Sequence, residues 1–383
     1  MSAPKLLEMV RGLVASPSIS SVNPVLDMGN RGVIAQLATW AQSLGFEVEV
    51  MELPHHPEKA NLVATLGKGP GGLVFSGHTD TVPYDEGLWR SDPFTLTERD
   101  HRLYGLGTAD MKSFLALVLE AVGRMDLSAL RRPLIILATA DEECTMAGAR
   151  ALVDHGRLRD QARYAVIGEP TSLRPIRLHK GVMMEAIRLR GRSGHSSNPA
   201  LGVSALEGMH SALGAVLRWR DGVQAQHRNE AFEVPVPTLN PGVIRGGDAP
   251  NRICGFCELQ LDMRPLPGMS LGALHDGLEK EIIASVAGTG LEAELVSLVD
   301  PIPPFETPET SPLVCAACEL TGFRSGSVAF GTEGPFFRQM GIDTIVMGPG
   351  DIAQAHQPDE FMALDQIDPA LKLIERLIAR FCC

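Results

Sequence analysis

Between Pro133 and Ala140 the chain carries the run Pro-Leu-Ile-Ile-Leu-Ala-Thr-Ala, and Asp141, Glu142 and Glu143 follow it without a break. A run this short and this apolar reads as a strand buried on both faces, which requires helices packed on either side of a sheet. Clustered acids at the end of such a strand are electrostatically costly unless a cation lies beside them.

The neighbouring sequence supports that architecture. Lys5–Ser16, Gly32–Leu44 and Met111–Met125 have helical periodicity, while Phe46–Glu52, Asn61–Leu66 and Leu73–Gly77 read as strands. This is an α/β pattern. From about Ile176 it changes to strand Val182–Arg190, helix Gly202–Trp219, strands Thr238–Ile244 and Arg252–Arg264, helix Leu271–Val286 and strand Leu291–Leu298. That order, βαββαβ, closes as a separate two-layer, ferredoxin-like unit. A proline-dense connector follows, with Pro301, Pro303, Pro304, Pro308 and Pro312, before the α/β pattern returns at Leu313. The expected organisation is a mixed-sheet α/β/α domain of residues 1–176 and 304–383, with residues 177–303 inserted.

A length of 383 residues suits two cores rather than one. Acids outnumber Lys and Arg by 46 to 34, and the resulting net charge of −12 repels phosphate backbones, so nucleic acid is not an expected partner. No apolar run is long enough to span a bilayer, Met1–Ala15 lacks the pattern of a secretion signal, and seven cysteines do not suggest a disulfide framework. The expected location is the cytoplasm, with no membrane partner.

Two motifs fail on context. Gly67, Gly69 and Gly72 match a dinucleotide-binding spacing but lie between two strands and include Pro70, so they read as a hairpin turn. Cys254 with Cys257, and Cys315 with Cys318, mimic zinc knuckles. Residues three apart on a regular strand face opposite sides, and the second pair sits in a helical pattern.

The chemistry gathers at strand ends. His78 and Asp80 close the run Leu73–Gly77 and share a face while strand geometry persists, which lets the carboxylate orient the imidazole. Asp110 ends a glycine-punctuated turn ahead of a helix, where an N-cap is the plain alternative. Glu169 ends an apolar strand, and His356 follows the apolar Thr344–Met347. If His78, Asp110, Glu143, Glu169 and His356 hold two divalent ions, three carboxylates and one hydroxide offset four positive charges. Imidazole and carboxylate without thiolate suit zinc, cobalt or manganese.

These motifs in this order resemble metallopeptidase family M20, the di-metal deacylases, aminoacylases and carboxypeptidases, over nearly the whole chain. The matching segments are Gly77–Pro83, Gly105–Lys112, Ala138–Glu143, Gly168–Thr171, Gly194–Ser197 and Ala355–Glu360. The resemblance implies a di-metal hydrolase fold with His78 and Glu169 on one ion, Glu143 and His356 on the other, Asp110 bridging and Asp80 behind His78. It further implies Glu142 as general base, a cis peptide after Asp110, two Zn2+ ions with Co2+ an alternative, and a homodimer formed by the inserted unit acting as lid. In that arrangement His195 stabilises an oxyanion across the dimer interface.

Within the family the similarity is strongest to bacterial deacylases of the arginine pathway, carried by Asp92–Thr97, Tyr104–Asp110, Gly191–Ser197, Gly246–Ile253 and Gly348–His356. It implies N2-acetyl-L-ornithine as substrate. An amino-acid leaving group brings a carboxylate, for which Lys180, Arg252 and Arg264 are candidate partners, with Asn251, Gly331 and Thr332 beside them. Glu333 is the expected contact for a distal ammonium. Hydrolysis of succinyl-diaminopimelate, or of dipeptides and other acyl amino acids, is the alternative within the family. A non-catalytic binding protein on the same fold would have no use for Glu142 beside a ligand.

Overall fold

The computed structural model describes residues 3–156 and 158–383, in two compact units. One runs to Arg177 and resumes over Thr307–Gly326 and Thr332–Cys383; the other comprises Leu178–Glu306 and Ser327–Gly331.

The first unit is built on a mixed sheet whose strands lie in the order Glu47–Leu53, His56–Leu66, Leu134–Thr139, Gly72–His78, Ala162–Pro170, Asp343–Gly348. The last four are parallel to one another; His56–Leu66 runs antiparallel to them, and Glu47–Leu53 antiparallel to His56–Leu66. Gly72–His78, Leu134–Thr139 and Asp343–Gly348 are buried at every position, as expected of strands covered on both faces. Alternation sorts their side chains: Leu73, Phe75, Leu134, Ile136 and Ala138 join one large core with the helices Leu6–Val14, Arg31–Ser43, Lys112–Arg124, Pro312–Thr321 and Ile367–Phe381. Val74, Ile135, Leu137 and Ile167 point the other way and are equally buried. The helix Gly334–Gln339 packs on that sheet at Asp343–Gly348. The α/β class read from the sequence is therefore the observed one.

The loop containing Gly67, Gly69 and Gly72 does not make a hairpin. Leu134–Thr139 lies between the strands the loop joins, so the chain crosses over the end of that inserted strand. Sequence adjacency suggested a pairing that a later strand occupies.

The second unit is a four-stranded antiparallel sheet, in the order Thr238–Gly246, Phe256–Arg264, Met183–Arg190, Glu292–Ser297. Helices Ala205–Gln226 and Leu271–Ser285 pack against it around Ile187, Leu189, Met209, Val216, Leu259, Leu261, Leu278 and Ile282. Its chain order is βαββαβ. The strand expected from Arg252 begins only at Phe256, and as a result Cys254 and Cys257 both enter the same core instead of facing opposite sides. No helix among the described residues is long and apolar enough to cross a membrane.

Candidate metal centre

Parallel strands of one sheet end level with each other. His78 pairs with Thr139, the last residues of their strands, and Gly348 pairs with Pro170. The turns leaving these ends bring His78, Glu142, Glu143 and Glu169 to one edge. Gly168 is needed there, because a Cβ on it would run into the ring of Phe114.

Asp110 joins from the loop preceding helix Lys112–Arg124. It is not the N-cap: Met111 holds that position, and the Asp110–Met111 peptide is cis. The loop hangs on Glu360, whose Oε1 accepts the amides of Ala109 (2.7 Å) and Asp110 (3.0 Å) and whose Oε2 accepts that of Gly107 (3.1 Å). Just beyond, Lys112 is fully buried and donates to the carbonyls of Leu13 (3.0 Å) and Ser16 (3.1 Å).

Asp110 faces two ways. Its Oδ1 lies 2.9 Å from His78 Nε2, which is 4.0 Å from Glu169 Oε1; its Oδ2 lies 3.7 Å from His356 Nε2, which is 3.0 Å from Glu143 Oε2. Among the described residues, His78, Asp110 and Glu169 form one group able to hold a metal ion, and Asp110, Glu143 and His356 form another. Glu142 belongs to neither. Glu169 Oε1 is buried without a hydrogen-bond partner. Imidazole and carboxylate donors of this kind, with a buried oxygen left unsatisfied, fit divalent ions.

Electrostatics point the same way. Burial and the charge of Glu169 hold Glu142 well above the usual carboxylate range, and burial with the charge of Asp110 does the same to Glu169. Glu143 is also raised, by burial and Asp110. Burial opposes the charged form of His78, but its hydrogen bond to Asp110 and the charges of Glu169, Asp110 and Glu142 override this and raise it well above its ordinary value. His356 is raised chiefly by its hydrogen bond to Glu143. The cluster holds more acid than its two imidazoles can neutralise, and added cations would relieve it.

Asp80 sits differently from expectation. His78 Nδ1 meets the Asp80 main-chain carbonyl at 3.0 Å, whereas the nearest carboxylate oxygen of Asp80 is 3.8 Å away. That carboxylate instead accepts the amides of Glu142 (3.2 Å) and Glu143 (3.1 Å). Behind it, Asp141 adopts a left-handed φ of 62° and accepts from Lys59 Nζ (2.5 Å), Ser20 Oγ (3.0 Å) and Thr145 Oγ1. No periodicity or motif in the sequence marks Lys59.

The substrate candidates divide between the units. Lys180, expected to bind a carboxylate, is buried and its ammonium donates to the Val236 carbonyl at 2.7 Å, over the Phe232 ring. Arg264 pairs with Asp262 at 3.0 Å and Arg252 with Asp248. Asn251 is exposed, and its carbonyl accepts the Ser196 amide at 3.1 Å. Gly331 lies against Val182 in the second unit, whereas Thr332 is buried in the first and accepts the Gly334 amide at 3.1 Å. Glu333 is 1% exposed, with Ser76 Oγ donating to it at 3.3 Å, and burial pushes it up to about 7. Its Oε1, like that of Glu169, is buried without a hydrogen-bond partner. His195 is exposed in the second unit, and its Nδ1 accepts the Ser197 amide at 3.2 Å. A neutral ring so held carries its proton on Nε2.

Known proteins resemble the chain in sequence and in fold. The chain is 49% identical over 379 residues to the acetylornithine deacetylase of Pasteurella multocida (strain Pm70), covering 99% of this chain and 98% of the relative. It is 50% identical over 380 residues to the acetylornithine deacetylase of Klebsiella pneumoniae (strain 342), with the same coverage. Among solved structures, a tripeptidase from Staphylococcus aureus subsp. aureus mu50 superposes with a TM-score of 0.77 at 22% identity, covering 98% of both chains. The Bacillus subtilis YXEP protein, a dinuclear metal binding peptidase, superposes with a TM-score of 0.69 at 15% identity, covering 98% of this chain and 97% of that one. The sequence profile of peptidase family M20/M25/M40 matches residues 74–380. With that match and relatives alike along their whole length, the chain belongs to peptidase family M20/M25/M40.

Proposed function

We propose that this metal-dependent hydrolase cleaves N2-acetyl-L-ornithine to L-ornithine and acetate, a step of arginine biosynthesis. The carrying observation is that Glu142 stands in the acid cluster yet outside both metal-holding groups, which leaves a carboxylate for proton work. The substrate follows from whole-length relatives named acetylornithine deacetylases.

In this reading His78 and Glu169 would hold one divalent ion and Glu143 and His356 the other, with Asp110, common to both groups, serving each; Zn2+ is the expected ion and Co2+ an effective substitute. Bound there, the ions supply Lewis acidity that activates water and polarises the amide carbonyl. Glu142 takes the proton of the attacking water and returns it to the departing amine, so that acetic acid's carboxylate and a free amino acid leave. The Nε2 proton of His195 is the donor assigned to the oxyanion, within a homodimer formed through the inserted unit. Arg252, Arg264 and Asn251 are the partners assigned to the substrate carboxylate. All seven cysteines are free thiols, which fits a cytoplasmic enzyme.

The test is side-by-side turnover of acetylornithine, succinyl-diaminopimelate and a dipeptide panel, before and after chelation and defined return of Zn2+ or Co2+. Acetylornithine should be turned over fastest, with activity lost on chelation and recovered with metal. A faster rival substrate would overturn the substrate assignment, and turnover that survives complete chelation would overturn the metal roles.

A further inference from the structure

We propose that Glu360 is a positioning residue that couples the two metal groups by tying the His356 segment to the Asp110 loop. The inference rests on the metal reading above and adds a residue that has no place in it.

Glu360 is 1% exposed, and its carboxylate gathers three main-chain amides from one turn: Gly107, Ala109 and Asp110, at 3.1, 2.7 and 3.0 Å. Its own carbonyl accepts a fourth amide, that of Gly105, at 3.1 Å. The next residue, Phe361, pairs with Tyr104 in an antiparallel ladder. Four amides of the turn from Gly105 to Asp110 thus hang on a single residue four positions after His356, while that of Leu106 is held by the Pro93 carbonyl. A carboxylate suits the task because its two oxygens accept several donors and carry charge. A glutamine would turn an NH2 toward amides that are themselves donors.

The geometry makes the effect unequal. The group of Asp110, Glu143 and His356 depends on Glu360 through both Asp110 and His356, whereas the group of His78, Asp110 and Glu169 depends on it through Asp110 alone. Loosening this clamp should weaken the former more. Partners behind metal ligands typically change affinity by about 10–100-fold.

The experiment titrates metal-free full-length protein with Zn2+ by calorimetry, and with Co2+ by its visible absorption, comparing wild type with Glu360→Gln. The wild type should bind two ions; the variant should bind one ion with a modest loss and the other at least about tenfold more weakly. Equal weakening of both ions, or two unchanged affinities, overturns the inference. A wild type that binds fewer than two ions defeats the metal reading instead, which keeps the two failures apart. Should Glu360→Gln not fold, hydrogen exchange of the metal-free wild type decides: slow exchange at the amides of Gly107, Ala109 and Asp110 supports the clamp, and exchange at unprotected rates overturns it.

Discussion

Asp80 Oδ1 accepts the main-chain amide of Glu142 at 3.2 Å, and its other carboxylate oxygen accepts that of Glu143 at 3.1 Å. One buried carboxylate thereby fixes two consecutive residues to which the proposal gives different tasks, proton transfer and metal binding. In Asp80→Asn one acceptor becomes a donor facing an N–H. Loss of a hydrogen bond to a charged group costs about 1.5–3 kcal/mol, so kcat should fall about 10–100-fold while KM moves little. Glu142→Ala should go further and abolish turnover, with metal content by elemental analysis unchanged. Full activity in either variant would count against these roles.

The pH dependence of stability should change sign with metal. Burial pushes Glu333 up to about 7 from an ordinary 4.5. A carboxyl raised in the fold keeps its proton there while the unfolded chain releases it, so its contribution is full below pH 4.5 and is lost as pH rises through 7. Glu142, Glu143, Glu169, His78 and His356 are raised as well and act in the same direction. Asp110 is lowered, despite its burial, by His78, and its opposing contribution is lost only at pH below 3.8. Chelated protein should therefore melt at lower temperature as pH rises from 5 to 7.5, windows set by those shifts. Metal-loaded protein should show the opposite slope, because its ligands bind deprotonated. Thermal melts of both forms across that range check this, and a flat or rising profile for the chelated form would sink it.

Glu333 yields a substrate test that separates two roles. The sequence suggested a contact for ornithine's distal ammonium, and removing it would then penalise acetylornithine selectively. Buried against Ser76, two residues before His78, Glu333 adds its charge to the acid cluster at Glu142 and Glu169, which bears on every substrate alike. Glu333→Gln should therefore lower kcat/KM for acetylornithine and acetylmethionine by similar factors. A loss at least about tenfold larger for acetylornithine, about 1.4 kcal/mol of discrimination, would restore the ammonium contact.

What the sequence made legible was what is written locally. The run ending at Thr139 announced a strand covered on both faces, and acids or histidines just past apolar strands marked His78, Glu143, Glu169 and His356, which the fold brings together. Partners joined only in space were not legible. Glu360 stood in the motif after His356 with no task, since nothing local shows that its carboxylate meets amides some 250 positions earlier. Lys180 read as a substrate cation because its charge is visible in sequence, while the Val236 carbonyl that takes one of its three donors is not. The misread hairpin after Leu66 has the same origin, a strand from far along the chain inserted between neighbours.

Lys59 is the sharpest case of a long-range partner, and it carries the last prediction. Its ammonium, with the side chain 7% exposed, lies 2.5 Å from Asp141 and 2.7 Å from Asp27. Burial disfavours that charge, but the hydrogen bonds to Asp141 and Asp27 outweigh it and raise its pKa. Asp141 holds a left-handed turn directly before Glu142, so the pair fixes the point from which the carboxylate proposed as general base departs. Removing one partner of a buried pair leaves an uncompensated charge and costs about 3–5 kcal/mol. Lys59→Met should lose stability on that scale in urea unfolding and also lower kcat. Asp141→Asn removes the stranded charge, so the double variant should be more stable than the sum of the single losses implies, by at least about 1 kcal/mol of coupling. Additive losses would show that Lys59 and Asp141 act independently, and that the turn before Glu142 is held by Ser20, Thr145 and the amides of Thr145 and Met146 on the Asp141 carbonyl.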